Sequence, residues 1–115
     1  MAAYNGHTDT VRFLLKRGAT IDSRDIEGKT PLIHACTGPF AETVQLLLDE
    51  GADVNAKDSN EGFTPLMMAA GLDQPEIVKI LLENGADKDA EDDDMDKAID
   101  HARRENFAKI VKMLE

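Results

Sequence analysis

Gly51-Ala52-Asp53-Val54-Asn55-Ala56-Lys57-Asp58-Ser59-Asn60-Glu61-Gly62-Phe63-Thr64-Pro65-Leu66-Met67-Met68-Ala69-Ala70 is the stretch on which the fold turns. Its right end reads as the start of a helix. The Thr64 hydroxyl suits an N-cap, where it accepts from an orphan backbone N–H. Pro65 suits the first helical position, where its missing N–H costs nothing. Leu66, Ala69 and Ala70 then share one face at i, i+3 and i+4 spacing, and its small residues let a neighbouring helix come close. The left end reads as the close of another helix, because Gly51 follows Leu46-Leu47-Leu48 and supplies a positive-φ cap. The polar run between them predicts a hairpin-like finger with Gly62 at its turn.

The same phrase recurs along the chain. Gly-Ala stands at Gly18-Ala19, Gly51-Ala52 and Gly85-Ala86, at spacings of 33 and 34 residues. Thr30-Pro31-Leu32 repeats Thr64-Pro65-Leu66, with Ala35 and Cys36 on its small face and Gly28 at its finger turn. Phe13-Leu14-Leu15 and Ile80-Leu81-Leu82 repeat the leucine run, and Ile110-Val111-Lys112-Met113-Leu114 is a weaker last copy. Pro75 marks the start of an outer helix over 76–84, with Ile77, Ile80 and Leu81 on one stripe. The units are 1–24, 25–57, 58–91 and 92–115. A single helix pair of this size buries no core, but stacked pairs do, each touching only its neighbours.

Composition agrees. The chain has 115 residues, a formal charge of −10 and one cysteine. One thiol excludes a disulfide scaffold and a cysteine-built zinc site. The acidity argues against nucleic acid and anionic membrane surfaces. No apolar run reaches the roughly 20 residues of a membrane helix, and the first residues carry no signal peptide. These features lead us to expect a cytoplasmic protein, with the nucleus as the alternative compartment.

The matching residues are Thr30-Pro31-Leu32 with Ala35, Val44 with Leu46-Leu47-Leu48, Gly51 to Ala56, and Gly62-x-Thr64-Pro65-Leu66 with Ala69-Ala70. In these the chain resembles the ankyrin repeat family. The resemblance implies a single all-α repeat solenoid over 1–115, with helix-turn-helix units joined by β-hairpin fingers. It implies about four repeats, the first incomplete. Departures are specific. The family has His after Thr-Pro-Leu, where this chain has Ile33 and Met67, with His34 one residue on. Pro39 fills the inter-helix slot of the second repeat, which predicts that Gly38 takes over the positive-φ role there. Asp73 and Asn106 fill that slot elsewhere and tolerate the left-handed region. Lys97-Ala98-Ile99 and Arg103 give the last repeat the charged character of a C-terminal cap. Met1-Ala2-Ala3 begins partway along the first inner helix, which reads as a cut from a longer array.

Catalytic and metal motifs fail on inspection. Gly28-Lys29-Thr30 resembles the end of a phosphate-binding loop, but Ser23 stands where its first glycine is required. Asp87-x-Asp89-x-Glu91 begins like a calcium loop, but Asp92 and Ala98 stand where Gly and Glu belong. His7, His34 and His101 fall in different repeats without ligand pairing. Cys36 has no basic neighbour in sequence to activate it. We therefore expect no enzyme, no cofactor and no metal. Asp53-Val54-Asn55 after Leu47 resembles the pattern modified by the asparaginyl hydroxylase that acts on ankyrin repeats. Asn55 is thus a candidate for hydroxylation, set against a purely structural role.

The resemblance implies partner binding through finger tips and the concave face of the inner helices. Carried over by register, the second repeat offers Ile26, Glu27, Lys29, His34 and Thr37. The third offers Ser59, Asn60, Glu61 and Phe63, then Met68 and Leu72. The fourth offers Asp93, Asp94, Asp96 and Arg104. Phe63, Met68 and Leu72 place apolar groups where polar ones are expected, and such groups favour binding hot spots. Seven acids and one lysine between Asp87 and Asp96 concentrate a net −6 beside them. We expect a protein partner that is basic and amphipathic, and self-association through the uncapped first repeat as a further outcome. The runner-up reading is a regulatory or targeting fragment of a larger enzyme, channel or host-directed effector.

Overall fold

The computed structural model describes Arg24, Ile26 and residues 28–115. The readings placed on residues 1–23, including Gly18-Ala19 and His7, lie outside the described residues. Six helices follow in order: α1 (Pro31–Ala35), α2 (Ala41–Asp49), α3 (Pro65–Gly71), α4 (Pro75–Glu83), α5 (Ala98–Arg104) and α6 (Ala108–Leu114). The odd-numbered helices form an inner layer and the even-numbered ones an outer layer. Packing runs within each pair and between adjacent pairs, as a nearest-neighbour stack requires.

The helix starts follow the sequence. Thr30 Oγ1 accepts from the Ile33 N–H at 3.3 Å, and Thr64 Oγ1 from the Met67 N–H at 3.2 Å. Pro31 and Pro65 open α1 and α3. At Lys97, which has no hydroxyl, the bond is reversed: Asp100 Oδ2 reaches back to the Lys97 N–H at 2.9 Å.

Four helix ends share one closure. Gly51, Asp73, Gly85 and Asn106 have positive φ, as expected. The next residue's N–H then reaches the carbonyl five positions back: Ala52 to Leu47, Gln74 to Ala69, Ala86 to Leu81 and Phe107 to Ala102. That is the Schellman closure, which satisfies carbonyls the helix leaves orphaned. Gly38 departs from expectation, because it is absent from the positive-φ positions. A Cβ there would stand 2.9 Å from the Phe40 ring, so this glycine serves a close approach.

The core is the small-residue interface together with the outer stripe. Leu32, Ala35, Cys36, Leu66, Ala69, Ala70 and Ala102 are buried between inner helices, and Val44, Leu47, Ile77, Leu81 and Ile110 lie beneath the outer ones. The expected stripe of α4 shifts by one position. Val78 is fully buried and Ile80 only partly, because the stack touches α4 from both sides and widens its buried face.

The fingers are held by carboxylates at their bases. Asp58 Oδ1 accepts from the N–H groups of Glu61, Gly62 and Phe63 at 2.9–3.2 Å. Asp92 Oδ1 accepts from Asp94 and Asp96 at 2.9 and 3.0 Å. One backbone bond closes each loop, Asp58 to Phe63 and Asp92 to Asp96, and no strand occurs among the described residues. Loops this short leave room for a closing bond and not for a ladder. Cations tie successive fingers together: Arg24 Nη1 donates to the Lys57 carbonyl, and Lys57 Nζ to that of Glu91.

Candidate functional site

The inner layer and the fingers bring three of the candidate residues into one place. Phe63 leaves the finger just before the Thr64 cap. Met68 lies on α3 four residues after that cap, and Leu72, eight residues after it, caps the C-terminal end of the same helix. With Met67, Gly71 and His101 they line a groove of about 170 Å³ between α3 and α5. Leu72 is 45% exposed, while Phe63 and Met68 are partly buried.

His101 forms the far wall. Its ring meets Phe63 edge-on, with centroids 5.1 Å apart. Its Nε2 donates to Asp92 Oδ2 at 2.8 Å, the carboxylate being acceptor only. Burial opposes the charge on Asp92. The Asp96 N–H, the His101 ring and the Asp94 N–H outweigh that and hold its carboxyl below the usual carboxylate value. This bond ties the base of the last finger to its inner helix, whereas Ile33 and Met67, at the positions where histidine was expected, are apolar and buried.

The acidic tips stand beside Phe63. Ser59, Asn60, Glu61, Asp93 and Asp94 are exposed. The fingers stack, since the Asp93 N–H donates to the Glu61 carbonyl at 3.0 Å. Gly62 and Gly28 make this possible. A Cβ on Gly62 would meet Asp93 at 2.6 Å, and one on Gly28 would meet Ser59. Lys29 is partly buried at the base of the second finger, Thr37 Oγ1 donates to the His34 carbonyl, and Glu27 lies outside the described residues. Arg104 is bonded to Asp96 at 2.9 Å.

Asn55 is engaged on both ends of its amide. Its Oδ1 accepts from the Asp87 N–H at 2.8 Å, and its Nδ2 reaches the Gly85 carbonyl at 3.5 Å. It therefore staples one repeat to the next. Cys36 is buried and its thiol pushed well above its ordinary pKa by desolvation, which leaves it without nucleophilic character. Asp92, Asp96 and His101 place ligand-type atoms within 4.8 Å of one another. Each is already spoken for, by the His101–Asp92 bond and by Arg104 on Asp96.

The sequence reading passed over Met95. It is 75% exposed and has φ +64, in the tip position that Gly28 and Gly62 hold in the other fingers. A side chain in the left-handed region costs about 1–2 kcal/mol, partly offset by the freedom glycine loses on folding. Met95→Gly is therefore expected to stabilise the chain by about 0.5 kcal/mol, a rise of about 3 °C in the thermal midpoint. A lowered midpoint would contradict the strain. The alignment of Met95 with two glycines was the available signal.

A family model described as ankyrin repeats (three copies) matches residues 1–92 and again 58–114. The human ankyrin repeat and KH domain-containing protein 1 is 45% identical over 56 residues, covering 49% of this chain and 2% of the relative. The mouse B-cell lymphoma 3 protein homolog is 48% identical over 58 residues, covering 50% and 13%. A probable E3 ubiquitin-protein ligase of rice, XBOS33, is 47% identical over 47 residues, covering 41% and 9%. The chain thus spans only a small part of the length of these relatives.

Proposed function

The chain belongs to the ankyrin repeat family, and on that premise we propose that it is a non-catalytic protein–protein interaction module working through its finger tips and inner-helix face. The observation that carries this reading is the groove between α3 and α5. It presents Phe63, Met68 and Leu72 together, at a position where a monomer has no packing use for an exposed leucine. The acidic tips beside it suit a basic, amphipathic protein segment rather than nucleic acid or a membrane surface. No helix among the described residues is long and apolar enough to cross a membrane.

Affinity capture with the wild-type chain, followed by mass spectrometry at two salt concentrations, supplies the partner. Phe63→Ala and Leu72→Ser are each expected to weaken it by about tenfold, the loss typical of a hot-spot residue. Binding should also weaken with salt, through the exposed carboxylates. Unchanged affinity in both variants would sink the reading of this surface.

A second reading is favoured by the size of the relatives. The chain would be a regulatory or targeting part of a larger protein whose activity lies elsewhere, in the cytoplasm or nucleus. The full-length gene sequence separates the two.

A further inference from the structure

Asp58 and Asp92 open corresponding fingers, and Met68 and His101 hold corresponding positions four residues after the caps Thr64 and Lys97. The two carboxylates differ in one bond. Asp92 has both oxygens engaged, Oδ2 by His101. Asp58 Oδ1 accepts three backbone bonds, but its Oδ2 is buried without a partner. Buried polar atoms without partners are rare and destabilising. This one falls where methionine replaces histidine in register. A thioether cannot donate, and Met68 lines the groove instead.

Resting on the interaction reading above, we infer that Met68 is the specificity residue of this groove. With Phe63 and Leu72 it receives one long apolar side chain of a partner segment whose flanking lysines or arginines meet Glu61, Asp93 and Asp94. The volume of about 170 Å³ fits one such side chain; a cavity of about 150 Å³ holds a benzene ring. The charge of the occupant follows from the tips. Glu61 and Asp93 are joined through their backbones, and Asp94 is next in sequence. No described cation lies within ion-pair distance of any of the three, while Lys97, Arg103 and Arg104 are paired with Asp89, Asp100 and Asp96. Adjacent carboxylates repel, and a cationic segment relieves that repulsion.

The test uses the full chain and a synthetic probe, acetyl-Ala-Lys-Lys-Ala-Leu-Lys-Lys-Ala-amide, with binding read by fluorescence anisotropy and by the Met68 methyl resonance. The wild-type chain should bind it and shift that resonance. Changing the probe leucine to alanine, or its lysines to glutamates, should each weaken binding by about tenfold. Met68→His should also weaken binding by about tenfold, while raising the thermal midpoint by about 3 °C as the imidazole meets Asp58 Oδ2. Met68→Leu, which keeps an apolar wall, should stay within about threefold of wild type. An absent wild-type complex, an unmoved Met68 methyl, or full affinity in Met68→His overturns the inference. So does a midpoint that Met68→His fails to raise. If a captured partner binds Met68→His and wild type equally, the interaction reading survives and the groove assignment falls.

Discussion

Leu81→Ala is expected to destabilise the chain by about 3 kcal/mol, within the range of core leucine truncations. Leu81 is fully buried on α4, and α4 is the outer helix with a described neighbour on each side, α2 and α6. Its truncation opens a void that neither neighbour can fill, because each is held by its own inner partner. The Leu81 carbonyl also closes the helix by accepting from Ala86, and this backbone constraint limits collapse around the void. In a stack the energy is a sum of local terms and neighbour interfaces, so one change in the central outer helix weakens two interfaces together. For a urea slope of about 2 kcal/mol/M, the midpoint should fall by about 1.5 M. A fall below about 0.5 M would mean that the outer layer relaxes freely, contrary to close packing.

Asp92→Ala is expected to cost about 3 kcal/mol, since hydrogen bonds to a charged acceptor are the strong ones. The substitution removes the acceptor of the Asp94 and Asp96 N–H groups and leaves His101 Nε2 without its partner. The finger base and the groove wall loosen together, because Phe63 leans on the same imidazole. The effect depends on pH. The folded chain holds the Asp92 proton less tightly than the unfolded chain. The stabilisation is therefore complete above about pH 5, falls as pH passes the ordinary carboxylate value near 3.9, and is gone below the folded-state value. Chemical denaturation of wild type and Asp92→Asn along that range checks it. The gap between them should be flat from about pH 5 to 7 and narrow as pH falls through the ordinary carboxylate value near 3.9 toward the lower folded-state one. A gap that widens on acidification would reverse the assigned sign.

Much of the fold was legible because it is written locally and then repeated. Thr30 and Thr64 can cap only a helix that starts after them, and Pro31 and Pro65 leave no other register. Gly51, Gly85, Asp73 and Asn106 announce turns because few residues accept positive φ. The positions Leu32, Leu66, Ala35 and Ala69 recur with the period, so their burial follows from stacking. Gly38 misled for the same local reason. Its neighbour Pro39 suggested a dihedral role, whereas the ring of Phe40 needed the space.

The site was legible only in part. Its members Phe63, Met68 and Leu72 could be named from register, and the acidic run Asp87 to Asp96 from composition. What register could not say is which atoms meet. That His101 closes on Asp92 while Asp58 keeps an oxygen unmatched depends on one finger lying under the next inner helix. That Asn55 joins Asp87 and Gly85 depends on the stagger between repeats. Sequence determined the repeating unit, its caps and its buried faces, since those rest on neighbours along the chain. Tertiary structure alone decided the groove, which needs His101 of one repeat against Phe63, Met68 and Leu72 of the repeat before, and the His101–Asp92 tie and the orphaned Asp58 oxygen, which need a finger base folded back within hydrogen-bond reach of its own inner helix.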